Sequence, residues 1–141
     1  MKSFKTFSGI AAPLIRVNID TDAIIPSREI KTVSKKGLSG GLFAEWRYLS
    51  LESRKENPDF ILNQDPFKKA SILVTGNNFG CGSSREHAVW ALSEWGIRAI
   101  IAPSYGSIFY SNCIKNGILP IVMDGRVISS MSEFIKDNPE E

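Results

Sequence analysis

Three apolar runs, residues 71–75, 98–102 and 118–123, are separated by two helical patterns and joined by short links. Residues 84–95 place Ala88, Ala91, Leu92 and Trp95 on one helical face. Residues 106–116 carry Ile108, Phe109, Cys113 and Ile114 at helical spacing. Gly96 and Gly117 stand where the two helices should end. Strand, helix, strand, helix, strand with links this short requires right-handed crossovers. It predicts an α/β fold whose parallel sheet is buried on both faces.

The remainder of the chain is less regular. Residues 4–7 and 14–19 read as β-type runs separated by Gly9 and Pro13. The segment Asn18-Ile19-Asp20-Thr21-Asp22-Ala23-Ile24-Ile25-Pro26 then reads as a turn closed by Pro26. Asp20 and Asp22 have two readings there, as turn and cap residues or as carboxylates aimed into a site. Residues 27–41 read as a mobile loop, of the length that serves as a functional lid or is disordered. Residues 42–51 fit a short helix with Phe43, Trp46 and Leu49 near one face, and residues 52–68 a long polar connection. Ser130 and Glu133 are spaced as a capping box, which predicts a last helix over 130–137.

Length and charge narrow the function. A chain of 141 residues suits a single domain. The net charge of +2 argues against nucleic acid or an anionic membrane surface as partner, and Lys35-Lys36 and Lys68-Lys69 are isolated pairs. No window offers the ~18 apolar residues of a membrane span, and Ser8, Gly9, Pro13 and Arg16 interrupt any leader-like run. Cys81 and Cys113 make no disulfide framework; with His87 the sole histidine, the chain lacks the ligands for a zinc site or an iron–sulfur cluster. A reducing cytoplasm is the expected location.

Chemistry concentrates in Asn77-Asn78-Phe79-Gly80-Cys81-Gly82-Ser83-Ser84-Arg85-Glu86-His87-Ala88, between the first central strand and its helix. Glycines let the backbone bend and approach a ligand closely. A helix start presents free N–H groups and the positive end of its dipole, and Arg85 adds a fork suited to carboxylate or phosphate. A small anion is the ligand class these features fit. Ser83 and Glu86 also fit a capping box, in which Ser83 only satisfies backbone donors. A dinucleotide site is disfavoured, because Arg85 replaces the third glycine of GxGxxG and Ala102-Pro103-Ser104-Tyr105 offers no acid after the next strand. Serine hydrolysis would need a base: His87 is one turn after Ser83, but the GxSxG elbow is absent.

Gly82-Ser83-Ser84-Arg85-Glu86-His87-Ala88, together with Asn18-Ile19-Asp20-Thr21-Asp22-Ala23-Ile24-Ile25-Pro26, closely resembles the small subunits of 3-isopropylmalate dehydratase, the leucine-biosynthetic branch of the aconitase superfamily. Leu42-Phe43-x-x-Trp46-Arg47, Asn57-Pro58-Asp59-Phe60, Ala102-Pro103-Ser104 and Ile108-Phe109-Tyr110-x-Asn112 extend the likeness in chain order. The resemblance implies an aconitase-like swivel domain over residues 1–141, β/β/α and barrel-like with parallel core strands. It implies a large-subunit partner carrying a [4Fe-4S] cluster on its own cysteines, with no metal or cofactor held by this chain. It implies a dehydration and rehydration that moves the hydroxyl of isopropylmalate, a small dicarboxylate. By position, Ser83 is then the base. Arg85 binds substrate carboxylate, with Ser84, Gly82 and Asp22 in the same site. Arg28, Glu29, Ile30, Lys31 and Thr32 influence which side chain is accepted. Cys81 and His87 are expected to be structural. The competition between capping and catalysis at Ser83 predicts that Ser84 satisfies more of the backbone. Members of this family commonly continue several dozen residues further, so the chain is expected to lack a C-terminal extension. A homoaconitase-like or citraconate-type relative, a free anion-binding module and an assembly scaffold are the alternatives.

Overall fold

The computed structural model describes residues 9–26, 29–30, 38–50, 54–82 and 86–137. Strands β1 (Ala11–Leu14), β2 (Ile72–Thr75), β3 (Ala99–Ala102) and β4 (Leu119–Val122) form one parallel sheet in the order β1-β2-β3-β4. Helix α1 (Thr21–Ile24) and helix α2 (Ala44–Arg47) lie in the long passage from β1 to β2. Helix α3 (Glu86–Trp95) links β2 to β3, α4 (Ser107–Lys115) links β3 to β4, and α5 (Gly125–Asp137) follows. Sequential strand order with right-handed crossovers puts α3 and α4 on one face, and α5 returns across the other.

The central strands read as continuous apolar runs because both faces are covered. Leu73, Val74, Ile100 and Ala102 are all fully buried. Helix α3 buries Ala88, Val89, Ala91 and Leu92 completely, and its two large members contribute about 1.5–3 kcal/mol each by leaving water. It ends as its sequence predicts: Gly96 takes φ +118, and the Ile97 N–H returns to the Leu92 carbonyl at 3.0 Å.

Three expectations need correction, and two irregular segments gain detail. The first strand is Ala11–Leu14, with Pro13 inside it, in place of a run over 14–19. Pro13 and Pro120 lie on β1 and β4, the two edges, where a missing N–H costs no ladder partner. The helix expected over 42–51 is only Ala44–Arg47, and Leu49 is 64% exposed. Of the loop expected over 27–41, residues 27–28 and 31–37 lie outside the described residues and Leu38–Gly41 is a 3-10 turn, while the connection over 52–68 includes 3-10 turns at Ile61–Asn63 and Phe67–Lys69. The last helix begins five residues before Ser130. Asp124 starts it, accepting the Arg126 N–H on Oδ1 at 2.8 Å and the Ile128 N–H on its carbonyl at 3.0 Å. The β-type run at 4–7 lies outside the described residues.

Candidate functional site

Parallel strands end on one edge, and there the turns after β1, β2 and β3 meet. The turn after β2 continues the sheet pairing on both sides. Toward β1, the Asn18 N–H donates to the Asn77 carbonyl (2.8 Å), Gly80 N–H to the Ile19 carbonyl (2.7 Å) and Thr21 N–H to the Cys81 carbonyl (2.9 Å). Toward β3, the Phe79 N–H donates to the Ser104 carbonyl (3.1 Å) and the Gly106 N–H to the Phe79 carbonyl (2.9 Å). Isolated parallel bridges pair Asp20 with Cys81 and Phe79 with Tyr105. The two motifs separated by some sixty residues of sequence are therefore neighbours held by backbone.

Local conformation makes this possible. Asn18 and Asn78 take positive φ (55 and 60), and the Asn78 side-chain amide donates to Asn18 Oδ1 at 3.1 Å. Gly80 takes φ +76, and a Cβ there would lie 2.2 Å from Phe109 Cγ. At Gly106 a Cβ would lie 2.6 Å from the Gly80 carbonyl oxygen. The turn after β2 is thus pressed against α4, whose Phe109 meets Phe79 edge-on at 5.3 Å.

Asp20 caps α1: its Oδ1 accepts the Ala23 N–H at 2.7 Å. Of the two readings open for the acids, capping therefore belongs to Asp20. Asp22 is exposed in the first turn of α1, and Gly82, with φ +92, is exposed beside Asp20. Thr21 and Ile24 are buried beneath them and fix the turn to the core. Ser83, Ser84 and Arg85 lie outside the described residues, as do Arg28, Lys31 and Thr32, and so does the expected division of capping between Ser83 and Ser84. Glu86 opens α3 and its carboxylate accepts the Asn116 side-chain amide at 2.8 Å. His87 packs edge-on against Trp90 at 4.8 Å, with Nε2 buried.

Three sets of contacts among the described residues have no sequence signal. The Arg16 guanidinium, exposed at the root of the β1 turn, lies over the Trp46 ring at 4.3 Å. The Tyr105 hydroxyl faces the Ile100 and Ile121 carbonyls at 2.9 and 2.7 Å, tying the β3 turn to β3 and β4, and burial raises its pKa. Glu29, one of the expected side-chain-selecting residues, directs its carboxylate to Arg54, and Ile30 packs against the core.

The thiols do not fit an iron–sulfur cluster. Cys81 is half-buried beside the β1 turn, and Cys113 is fully buried on the inner face of α4, its pKa pushed up to about 12 by burial. Two thiols so disposed do not supply the four that such a cluster uses. Among the described residues no helix is long and apolar enough to cross a membrane.

Comparison with known proteins agrees with this geometry. The family described as the aconitase C-terminal domain matches residues 1–126. The 3-isopropylmalate dehydratase small subunit of Cupriavidus necator is 58% identical over 133 residues, which are 94% of this chain and 64% of that protein. The small subunit of Leptospira interrogans is 51% identical, covering 98% of this chain and 67% of its relative. A crystal structure of 3-isopropylmalate dehydratase from Methanocaldococcus jannaschii superposes with a TM-score of 0.62 at 35% identity, covering 84% of this chain and 62% of that one. The chain spans 64% of the Cupriavidus protein's length. By matched domain, identity and fold, the chain belongs to the aconitase C-terminal domain family, in the branch formed by the small subunits of 3-isopropylmalate dehydratase.

Proposed function

We propose that this chain is a single swivel domain that completes the active site of a cytoplasmic dehydratase interconverting 2- and 3-isopropylmalate. The observation that carries the reading is the backbone pairing of Asp20-Thr21 with Cys81, which sets the Asp22 turn beside the glycines leading into Ser83. The partner is a large subunit, and the [4Fe-4S] cluster belongs to it. When bound there, the cluster supplies Lewis-acid polarisation of the substrate hydroxyl and carboxylate.

This chain's own share is to bind the dicarboxylate and move one proton. Arg85 and the N–H groups at the start of α3 suit a carboxylate. Ser83 takes the proton from carbon. A serine does this only where its alkoxide is strongly stabilised, and Arg85 with neighbouring N–H donors in a closed, dry site supplies that stabilisation. Asp22, Ser84 and Gly82 complete the lining. Residues 28–32 set which substrate side chain is accepted.

The test is to mix the chain with purified, cluster-loaded large subunit and 3-isopropylmalate, and to follow ultraviolet absorbance of the unsaturated intermediate. Absorbance change in the mixture, and in neither protein alone, is the expected result. No turnover with a competent large subunit overturns the isopropylmalate assignment; turnover of a homoaconitate- or citraconate-type substrate instead moves the chain to that relative.

A further inference from the structure

Glu29 is buried where a surface loop acid would be exposed. Its side chain is 8% exposed, and Arg54 Nη2 lies 2.5 Å from its Oε1. The stem of Glu29 fills the space beside Gly41, where a Cβ would lie 2.5 Å from Glu29 Cβ. Any side chain at 41 would displace it. The Glu29 N–H also donates to the Pro26 carbonyl at 2.9 Å.

Arg54 is itself held. It takes φ 55, its N–H donates to the Ser50 carbonyl at 3.0 Å, and its guanidinium lies over the Tyr48 ring at 4.7 Å. The Tyr48 hydroxyl donates to the Gly40 carbonyl at 2.8 Å. The Arg47 guanidinium lies over the same ring at 4.9 Å and over Trp95 of α3 at 4.6 Å. A continuous series of contacts, Trp95, Arg47, Tyr48, Arg54, Glu29, thus runs from α3 to the residues that follow α1. The Arg54 side chain is 41% exposed, so the pair faces water on one side and fixes the position of the covered Glu29 carboxylate more than it adds stability.

We infer that the Arg54–Glu29 pair is a latch that positions Glu29 and Ile30 and so tunes which substrate side chain the site accepts, an inference that rests on the dehydratase reading above. Arg54 is a positioning residue: it acts through Glu29 and does not touch substrate. Glu29 holds the segment in place and leaves substrate carboxylates to the cations of the site.

Two measurements test this on the full chain. Hydrogen exchange at the Glu29 and Ile30 amides is compared in wild type, Arg54→Met, Arg54→Lys and Glu29→Gln. The latch predicts exchange at these two amides faster by about tenfold in Arg54→Met and Glu29→Gln, with core amides such as Leu73 unchanged and Arg54→Lys close to wild type. In the mixture with large subunit, KM for 3-isopropylmalate and for an analogue with methyl in place of isopropyl is then measured. The ratio of the two KM values shifts by about fivefold in Arg54→Met while kcat stays within about twofold, and Arg54→Lys restores the ratio. Unchanged exchange at the two amides overturns the latch. Faster exchange with an unchanged KM ratio overturns its role in specificity. Glu29→Gln, nearly the same shape, carries the test if Arg54→Met does not fold. A wild-type mixture without turnover overturns the dehydratase reading, while exchange in the isolated chain still decides the latch.

Discussion

Two regions of this small domain reach fixed geometry with different emphasis. The edge where the turns after β1, β2 and β3 meet is joined by backbone: N–H to carbonyl bonds pair Gly80 with Ile19, Thr21 with Cys81, and Gly106 with Phe79. The described residues over 38–50 and 54–57 also carry backbone bonds, such as Leu49 N–H to the Lys55 carbonyl at 2.8 Å, but add to them a network of side chains. Arg47 there is 6% exposed, donates through Nη1 to the Ser39 and Leu42 carbonyls at 2.7 and 3.0 Å, and reaches the Tyr48 hydroxyl at 2.5 Å through Nη2. Burial draws its pKa down, and the charges of Tyr48 and Glu56 oppose that shift. The contrast shows a division of labour. A site that must leave its side chains free for chemistry is best held by main chain and glycine, while a supporting segment can spend its cations and aromatic rings on itself.

Substitutions at the two regions should therefore fail differently. Gly80→Ala should have the largest effect, since it adds left-handed strain to a Cβ 2.2 Å from the Phe109 ring. A loss of about 3 kcal/mol or more in urea unfolding is expected. Arg47→Met should cost about 2 kcal/mol, because the Ser39 and Leu42 carbonyls lose a buried donor while the stem volume is kept. Its effect on turnover in the mixture should be small, which separates support from site. Tyr105→Phe should cost about 1 kcal/mol by the same measurement, the worth of one hydroxyl shared between two carbonyls.

The smallest effect at neutral pH belongs to Cys113. Its folded pKa of about 12 lies above the ordinary value of 9.0, so the unfolded chain loses the proton first as pH rises. The stabilisation is full below pH 9, diminishes from there, and is lost as pH passes about 12. Urea midpoints flat from pH 7 to 9 and falling above it are the expected result in wild type, and a weaker fall in Cys113→Ala assigns it to this thiol.

Legibility in the sequence followed burial. The three central strands and two crossover helices were readable because a parallel sheet covered on both faces leaves unbroken apolar runs. Strand β1 was not, because Ala-Ala-Pro-Leu is short and its proline is acceptable only on an edge that sequence cannot locate. The start of α5 was misplaced because Asp124-Gly125 has the same composition as a turn. At the site, Asp20 as a cap follows from local spacing, and the adjacency of the two motifs follows from their resemblance to known small subunits. The Arg54–Glu29 contact spans twenty-five positions between two irregular segments, where no periodicity relates the partners.

The most direct test of the central claim is turnover of the mixture with large subunit when this chain carries Ser83→Ala, with assembly followed by size-exclusion chromatography. The claim that this edge supplies the base predicts normal assembly and turnover lower by about 10²–10³-fold or more. Normal assembly with turnover near wild type would contradict it, and would leave the edge as a scaffold for chemistry performed elsewhere.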